Sequence, residues 1–318
     1  LPPLGQRLEP APWNAYLRSM TQATLERAPG RSAGLAGSIL LLLAAMATVQ
    51  IGASLAKQMF ALVGPLGAAA LRLVFASLIL VLVARPWRGE LGPAERRAVL
   101  AYGVVLGIMN PIFYSALQRL PLGLAVAIEF TGPLGLALVT SHRRLDLAWV
   151  ALAVAGVCLI LLLKQVKGAV DPIGVALALA AGACWAAYIW FGQKLSVLLP
   201  SARATALGSC VAALVAVPVG AASAGVRLLN PAVLPVALAV AVLSSVLPYS
   251  LEMMAMKRVP TRTFGVLMSL EPAFAALSGL ALLGERLTVT QWLGMGCVMA
   301  ASLGAAMTAR GGGGGHAG

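Results

Sequence analysis

Apolar residues along this chain run in long unbroken blocks, without the alternation of a half-buried strand. The blocks fall at roughly 34–55, 66–84, 98–118, 122–140, 147–163, 173–193, 204–224, 232–254, 263–283 and 289–308. Each approaches or reaches the ~20 apolar residues that a membrane helix requires. A transmembrane barrel would instead show short segments of alternating hydrophobicity. The gaps carry turn and charge signals: Arg85-Pro86-Trp87-Arg88-Gly89, His142-Arg143-Arg144, Asp171-Pro172 and Gly284-Glu285-Arg286. The pattern predicts an all-α integral membrane protein with ten transmembrane helices. Residues 1–33 hold Pro2, Pro3, Pro10, Pro12 and Pro29 and lack the apolar core of a signal peptide. They read as a mostly disordered cytoplasmic tail with a short surface helix near 13–27, and residues 309–318 as a flexible glycine tail.

Composition excludes a water-soluble domain. Of 318 residues, 60% are hydrophobic and 10% charged, against about 25% charged in soluble proteins, and the mean hydropathy is +0.92. The net charge of +13 would suggest nucleic acid in a soluble protein. Here the charges sit between apolar blocks, so they report orientation instead. With the N-terminus inside, 16 Lys and Arg fall in inside segments and 6 in outside ones. That bias places both termini in the cytoplasm and favours an even number of spans. Cys158, Cys184, Cys210 and Cys297 lie inside apolar blocks with no metal or disulfide spacing, and read as small residues of the membrane interior.

The second half echoes the first. Arg119-Leu120-Pro121 is followed by Pro133 and Asp146; Arg258-Val259-Pro260 is followed by Pro272 and Glu285, every position shifted by 139. Lys57 and Lys194 differ by 137, as do Pro111 and Pro248, so one two-residue indel reconciles both sets. This suggests a duplication, with repeats at 34–168 and 169–308. Five helices per repeat is an odd number, so the second copy would enter the membrane inverted. Inverted repeats are a transporter architecture with the substrate site near the midplane.

Pro111 and Pro248 fall in the third helix of each repeat, Pro133 and Pro272 in the fourth. A helical proline frees the carbonyl four residues earlier, here that of Glu129 for Pro133 and of Met268 for Pro272. Freed carbonyls are tolerated at membrane depth where they face protein or a cavity; the alternative is that these prolines only kink helices for packing. Arg72, Glu129, Glu252 and Glu271 also lie within spans. An ionised group there costs about 2.5–3.5 kcal/mol on insertion scales and generally faces the bundle interior. Glu129 and Glu271 suit binding of a cationic amino group or uptake of a proton, or a structural pair with Arg72. Arg72 suits a substrate carboxylate or such a pair. Glu252 lies five residues before Lys257, which suggests an ion pair at the cytoplasmic end, and Lys57 reads as snorkelling to the outer interface. Gln50, Ser54, Asn110, Tyr114, Trp185, Tyr188, Trp190 and Tyr249 add neutral polar and aromatic groups. Gly103-Val-Val-Leu-Gly107 permits close helix approach.

No histidine cluster, Cys-rich metal spacing or Walker motif is present. The expectation is neither an enzyme nor an ATP-driven pump, with no metal and no cofactor. Several strings resemble the EamA-type drug/metabolite transporter superfamily, and within it the threonine/homoserine exporter family. They are Gln50-Ile-Gly-Ala-Ser-Leu-Ala-Lys57, Pro121-Leu-Gly-Leu-Ala-Val-Ala-Ile-Glu-Phe-Thr-Gly-Pro133, Leu247-Pro-Tyr-Ser-Leu-Glu252, Arg258-Val-Pro-Thr-Arg-Thr-Phe-Gly265, Ser269-Leu-Glu-Pro272 and Gly284-Glu285. The resemblance covers about residues 35–308. It implies ten helices in two repeats, both termini cytoplasmic, and export of small neutral amino acids across an inner or plasma membrane by proton antiport. It also marks Gln50, Lys57, Arg72, Glu129, Tyr249, Glu252 and Glu271 as candidate site residues, to which the residues themselves add Asn110 and Tyr114. The expected partners are the lipid bilayer, a small amino acid and protons, not nucleic acid; the sequence carries no signal for oligomeric state. Alternatives are export of another small metabolite or drug on the same architecture, or a non-transporting membrane scaffold or receptor.

Overall fold

The computed structural model describes residues 31–87, 90–139, 144–162, 170–248, 251 and 261–308, and among these every regular element is helical. Contacts divide the chain into Leu1–Gly37 and Ser38–Gly318; the packing and the site described below belong to the second unit. The helices are α1 (Arg31–Gln58), α2 (Phe60–Ala84), α3 (Pro93–Arg119), α4 (Leu122–Glu129), α5 (Thr131–Val139), α6 (Arg144–Leu162), α7 (Pro172–Leu198), α8 (Ser201–Ala224), α9 (Val233–Ala241), α10 (Thr261–Met268), α11 (Glu271–Leu283) and α12 (Val289–Thr308). A 3₁₀ turn, Gly225–Leu229, follows α8, and α9 runs on into a π turn at Val242–Val246. Among the described residues seven helices are long and apolar enough to cross a membrane, and Leu122–Leu136, Leu147–Ile160 and Val233–Val246 are shorter apolar segments.

Local sequence explains the ends. Pro93 opens α3, where a missing N–H costs nothing, and the Glu95 carboxylate accepts the Gly92 N–H at 2.8 Å. Asp171 caps α7 by accepting the Ile173 N–H at 2.9 Å. Gly64 takes φ 68° inside α2, immediately before Pro65; a residue ahead of proline is pushed out of helical geometry, so the helix kinks there. Gly284 ends α11 in the left-handed region at φ 66°.

Two blocks read as single spans are each two helices. The block at 122–140 divides at Phe130 between α4 and α5, three residues before Pro133. The block at 263–283 divides at Ser269-Leu270, just ahead of Pro272. Pro111 behaves differently: α3 continues through it. One missing hydrogen bond is bridged there by intact turns on both sides, and Ser115 Oγ donates to the Pro111 carbonyl at 2.8 Å.

α2 packs along α8, α3 along α7 and α8, α6 along α12, α4 against α11, and α9 against α2. Lipid tails give apolar side chains no reason to prefer each other, so close backbone approach through small residues carries much of the association. A Cβ on Gly103 would lie 2.7 Å from the Gly208 carbonyl, and one on Gly107 2.8 Å from that of Ala212. Gly156 and Gly294 make the same kind of crossing between α6 and α12. The tightest crossing sets Gly132 of α5 directly on the Gly182 carbonyl of α7.

One end of the bundle is latched. Lys57 Nζ, at the C-terminus of α1, donates to Glu285 Oε1 and to the Leu120 carbonyl, both at 2.6 Å. The other oxygen of Glu285 accepts the Leu122 N–H at 2.7 Å, capping α4. Lys57 therefore does not snorkel; it is ion-paired, and the two side chains are only 19% and 16% exposed. Nearby, Arg119 pairs with Asp171 at 2.7 Å, and the guanidinium, followed by the Ile173 N–H, holds the Asp171 carboxyl below its usual range. This contribution to stability is present above the ordinary carboxylate pKa and is lost as pH falls through the lowered one.

Gly132→Ala is expected to lose about 2 kcal/mol or more of stability, because backbone opposes backbone at the crossing and nothing flexible can yield. A large fall in detergent melting temperature would show it, and a wild-type melt would contradict the crossing. Lys57→Met is expected to lose about 1–3 kcal/mol by leaving Glu285 half-buried and uncompensated. Adding Glu285→Gln should restore part of that loss. A double-mutant cycle by thermal melt tests the coupling, and additive effects would contradict the latch.

Candidate functional site

A cavity of about 590 Å³ lies among the helices, within the usual range of small-molecule sites. Helical periodicity explains which residues reach it. α2 presents Arg72, Leu73, Ala76 and Leu80; α3 presents Leu106, Met109 and Asn110; α12 presents Ser302, Ala305 and Ala306. α7 presents Trp185, Tyr188 and Ile189, one and two turns beyond the Gly182 crossing. The breaks contribute Phe130 and Pro133 from one broken segment, and Met268 and Glu271 from the other. The π turn adds Ser244 and Ser245, with Pro248 just beyond. The lining is mainly apolar, with charge of both signs supplied by Arg72 and Glu271.

The cavity is displaced from the Lys57 end. Its α2 residues lie in the later part of that helix, its α12 residues lie in the last turns, and α11 contributes only its first residue.

Arg72 is held from two helices. Its Nη1 donates to the Tyr114 hydroxyl at 3.3 Å, and its Nη2 to the Ser244 carbonyl at 3.1 Å. The guanidinium carbon stands 5.7 Å from the Tyr114 ring centroid, within cation–π range. Nε is buried with no hydrogen-bond partner among the described residues. The Ser244 carbonyl is presented by the π turn, where the i→i+5 pattern displaces the backbone from regular helix. Among the described residues the ion pairs are Lys57–Glu285 and Arg119–Asp171. Neither Glu129 nor Glu271 thus forms an ion pair with Arg72.

Glu271 is the first residue of α11, where the helix dipole favours negative charge. It is 9% exposed and accepts from Gln50 Nε2 at 3.3 Å. Gln50, 2% exposed, keeps its own Oε1 without a partner among the described residues. Glu129 ends α4 at the other break, 8% exposed. It lies within electrostatic reach of both Glu271 and Arg72, although the cavity wall at that point is Phe130, on which Trp185 stacks edge-on at 5.3 Å.

The structure thus brings Gln50, Arg72, Asn110, Tyr114, Glu129 and Glu271 into one region. Asn110 lines the cavity while its Nδ2 donates to the Leu106 carbonyl at 2.9 Å. Tyr114 is fully buried behind Arg72. Pro133 and Pro248 line the cavity, whereas Pro111 and Pro272 are buried away from it. Lys57 belongs to the latch. Tyr249 and Glu252 lie outside the described residues, as does the side chain of Asp146. Sequence reasoning missed Ser209, Ser244, Ser245 and Phe130. The available signal was the Ser244-Ser245 doublet inside an apolar block, since polar groups in a span usually meet another helix or a cavity. Trp190 turns instead to Lys194, whose Nζ sits 3.4 Å from the ring centroid. Among the described residues no group of His, Cys, Asp and Glu side chains could hold a metal ion.

Comparison with known proteins agrees with this architecture. The EamA-like transporter family matches residues 172–307. The chain is 53% identical over 272 residues to the threonine/homoserine exporter RhtA of Escherichia coli K12, covering 86% of this chain and 92% of the relative. It is 52% identical over the same length and coverage to RhtA of Salmonella typhimurium. An uncharacterized transporter of Bacillus subtilis, YwfM, is 26% identical over 63% of this chain and 70% of its own. A solved crystal structure at 19% identity covers 88% of this chain and 98% of that one with a TM-score of 0.51, which speaks to fold alone. A multi-pass membrane protein by its apolar helices, the chain belongs to the EamA-like transporter family and, within it, to the group of threonine/homoserine exporters.

Proposed function

We propose that the protein exports threonine, homoserine and similar small neutral amino acids from the cytoplasm, by proton antiport with alternating access. One observation carries the reading: the same cavity has Arg72 and Glu271 in its wall. An amino acid at neutral pH is a zwitterion. Arg72, with an unpartnered Nε and a guanidinium steadied from behind, suits its carboxylate. Glu271, at a helix N-terminus and steadied by Gln50, suits its ammonium. Relatives at 52–53% identity are named as exporters of these amino acids.

Glu129 takes the proton role. It is buried, lies within reach of the charges at the cavity and stands behind the wall. Its charge can therefore bias the site without competing for the ligand.

Ten spans in two inverted five-helix repeats, 34–168 and 169–308, account for the packing. Counting α4 with α5, and α10 with α11, as one broken span each, the second span packs on the seventh and the fifth on the tenth. Those are the self-related pairs of a two-fold relation. The breaks fall in the fourth span and in its counterpart, the ninth. With both termini cytoplasmic, as the Lys and Arg bias favours, the Lys57 latch faces outward and the cavity extends inward. That arrangement is the state that loads substrate from the cytoplasm. An inner or plasma membrane location follows from the proton gradient this chemistry needs.

In proteoliposomes, labelled threonine flux should be accelerated by an imposed pH gradient and competed by homoserine; absence of flux in folded protein would contradict the substrate. Glu129→Gln is expected to insert normally and to lose the gradient dependence, and unchanged gradient-driven flux would remove Glu129 from the proton path. Arg72→Ala should weaken threonine competition by roughly tenfold or more, the scale of a lost charge-assisted bond.

A further inference from the structure

Serine and threonine hydroxyls inside helices usually donate to a backbone carbonyl three or four residues back, and this protein follows that habit. Ser77 donates to Val74, Ser115 to Pro111, Thr131 to Ile128, Ser223 to Gly220, Ser244 to Val240 and Ser269 to Val266. Three cavity serines, Ser209, Ser245 and Ser302, break it, and the first two are buried. Ser209 of α8 and Ser245 of the π turn are 5% and 7% exposed and line the cavity. Neither hydroxyl has a hydrogen-bond partner among the described residues. Neither oxygen is among the polar atoms sealed off from solvent, so each hydroxyl is open to the space a ligand would fill.

Both line the same cavity as the arginine. Ser245 follows Ser244, whose carbonyl holds Arg72. Ser209 lies one helical turn before Ala212 and Ala213, which pack against Leu73, the neighbour of Arg72. A ligand with its carboxylate at Arg72 would carry its side chain past these hydroxyls.

The geometry points to Ser209 and Ser245 as a specificity subsite that recognises the side-chain hydroxyl of the transported amino acid. The inference rests on the amino-acid export reading above and deepens it. A hydroxyl can both donate and accept, so the pair can read a β- or a γ-hydroxyl without fixing its position. Threonine and homoserine would share such a site, and an analogue lacking the hydroxyl would leave both serines unpaired, the situation in which polar sites discriminate most strongly.

Replacing the hydroxyl of either amino acid by hydrogen gives the same molecule, 2-aminobutyrate, which makes one probe sufficient. Competition against labelled threonine flux in proteoliposomes would be measured with unlabelled threonine and with 2-aminobutyrate. The proteins would be wild type, Ser209→Ala, Ser245→Ala, the double variant, and Ser77→Ala as a control whose hydroxyl is already bonded to Val74. The wild type should favour threonine, each single variant should lose roughly two- to tenfold of that preference, and the double variant should approach equality. Competition by 2-aminobutyrate itself should stay unchanged, which a merely structural defect would not produce. An undiminished preference in the double variant overturns the subsite. So does equal competition by the two ligands in the wild type, which needs no variant. A wild type that carries no threonine overturns the export reading and this subsite with it.

Discussion

A charge at membrane depth must be enclosed by protein, and most of this molecule's central architecture follows from enclosing Arg72. Its guanidinium is met by a hydroxyl from α3 and by a carbonyl from the π turn after α9. The apolar blocks alone would give straight helices with every carbonyl spent internally. The π turn and the two broken segments make backbone and side-chain polarity available in the interior, where water cannot supply it. Glu271 gains a helix N-terminus from one break, and Glu129 ends a helix at the other.

Placing polar groups this closely demands that the helices approach closely. The crossings at Gly103, Gly107, Gly132, Gly156 and Gly182 permit this, since each sets backbone against a neighbouring helix at distances that a side chain would block. The crossing of Gly132 with Gly182 is the most consequential, because it fixes α7 against the break beside Glu129 and thereby sets Trp185, Tyr188 and Ile189 into the cavity wall. At the far end, Glu285 links three segments with one carboxylate, accepting from Lys57 and from the start of α4. Cavity and latch thus occupy opposite ends of the same helices, a division that alternating access would use.

The sequence made plain whatever depends on local pattern. Apolar block length marked the membrane segments, and an ionisable residue inside a block marked Arg72, Glu129 and Glu271 as interior groups. What depends on residues far apart was not legible. Lys57 and Glu285 are 228 positions apart, and no spacing rule links them, so Lys57 read as an interfacial lysine. Gln50 and Glu271 meet across 221 positions and were legible only as separate polar residues. Continuous hydrophobicity across 122–140 and 263–283 concealed the helix breaks, though the prolines near them gave a hint. Ser209 and Ser245 carry no local signal that separates them from the serines whose hydroxyls are satisfied within their own helix.

The central claim is that Arg72 and Glu271 together recognise a zwitterion, and it is tested most directly by removing one charge from the ligand at a time. Binding to the purified protein would be compared for threonine, for threoninol, which lacks the carboxylate, and for 3-hydroxybutyrate, which lacks the ammonium. Threonine alone should bind well, with each truncated ligand weaker by roughly tenfold or more. Threoninol binding as tightly as threonine would mean that Arg72 does not hold a carboxylate and would contradict the account.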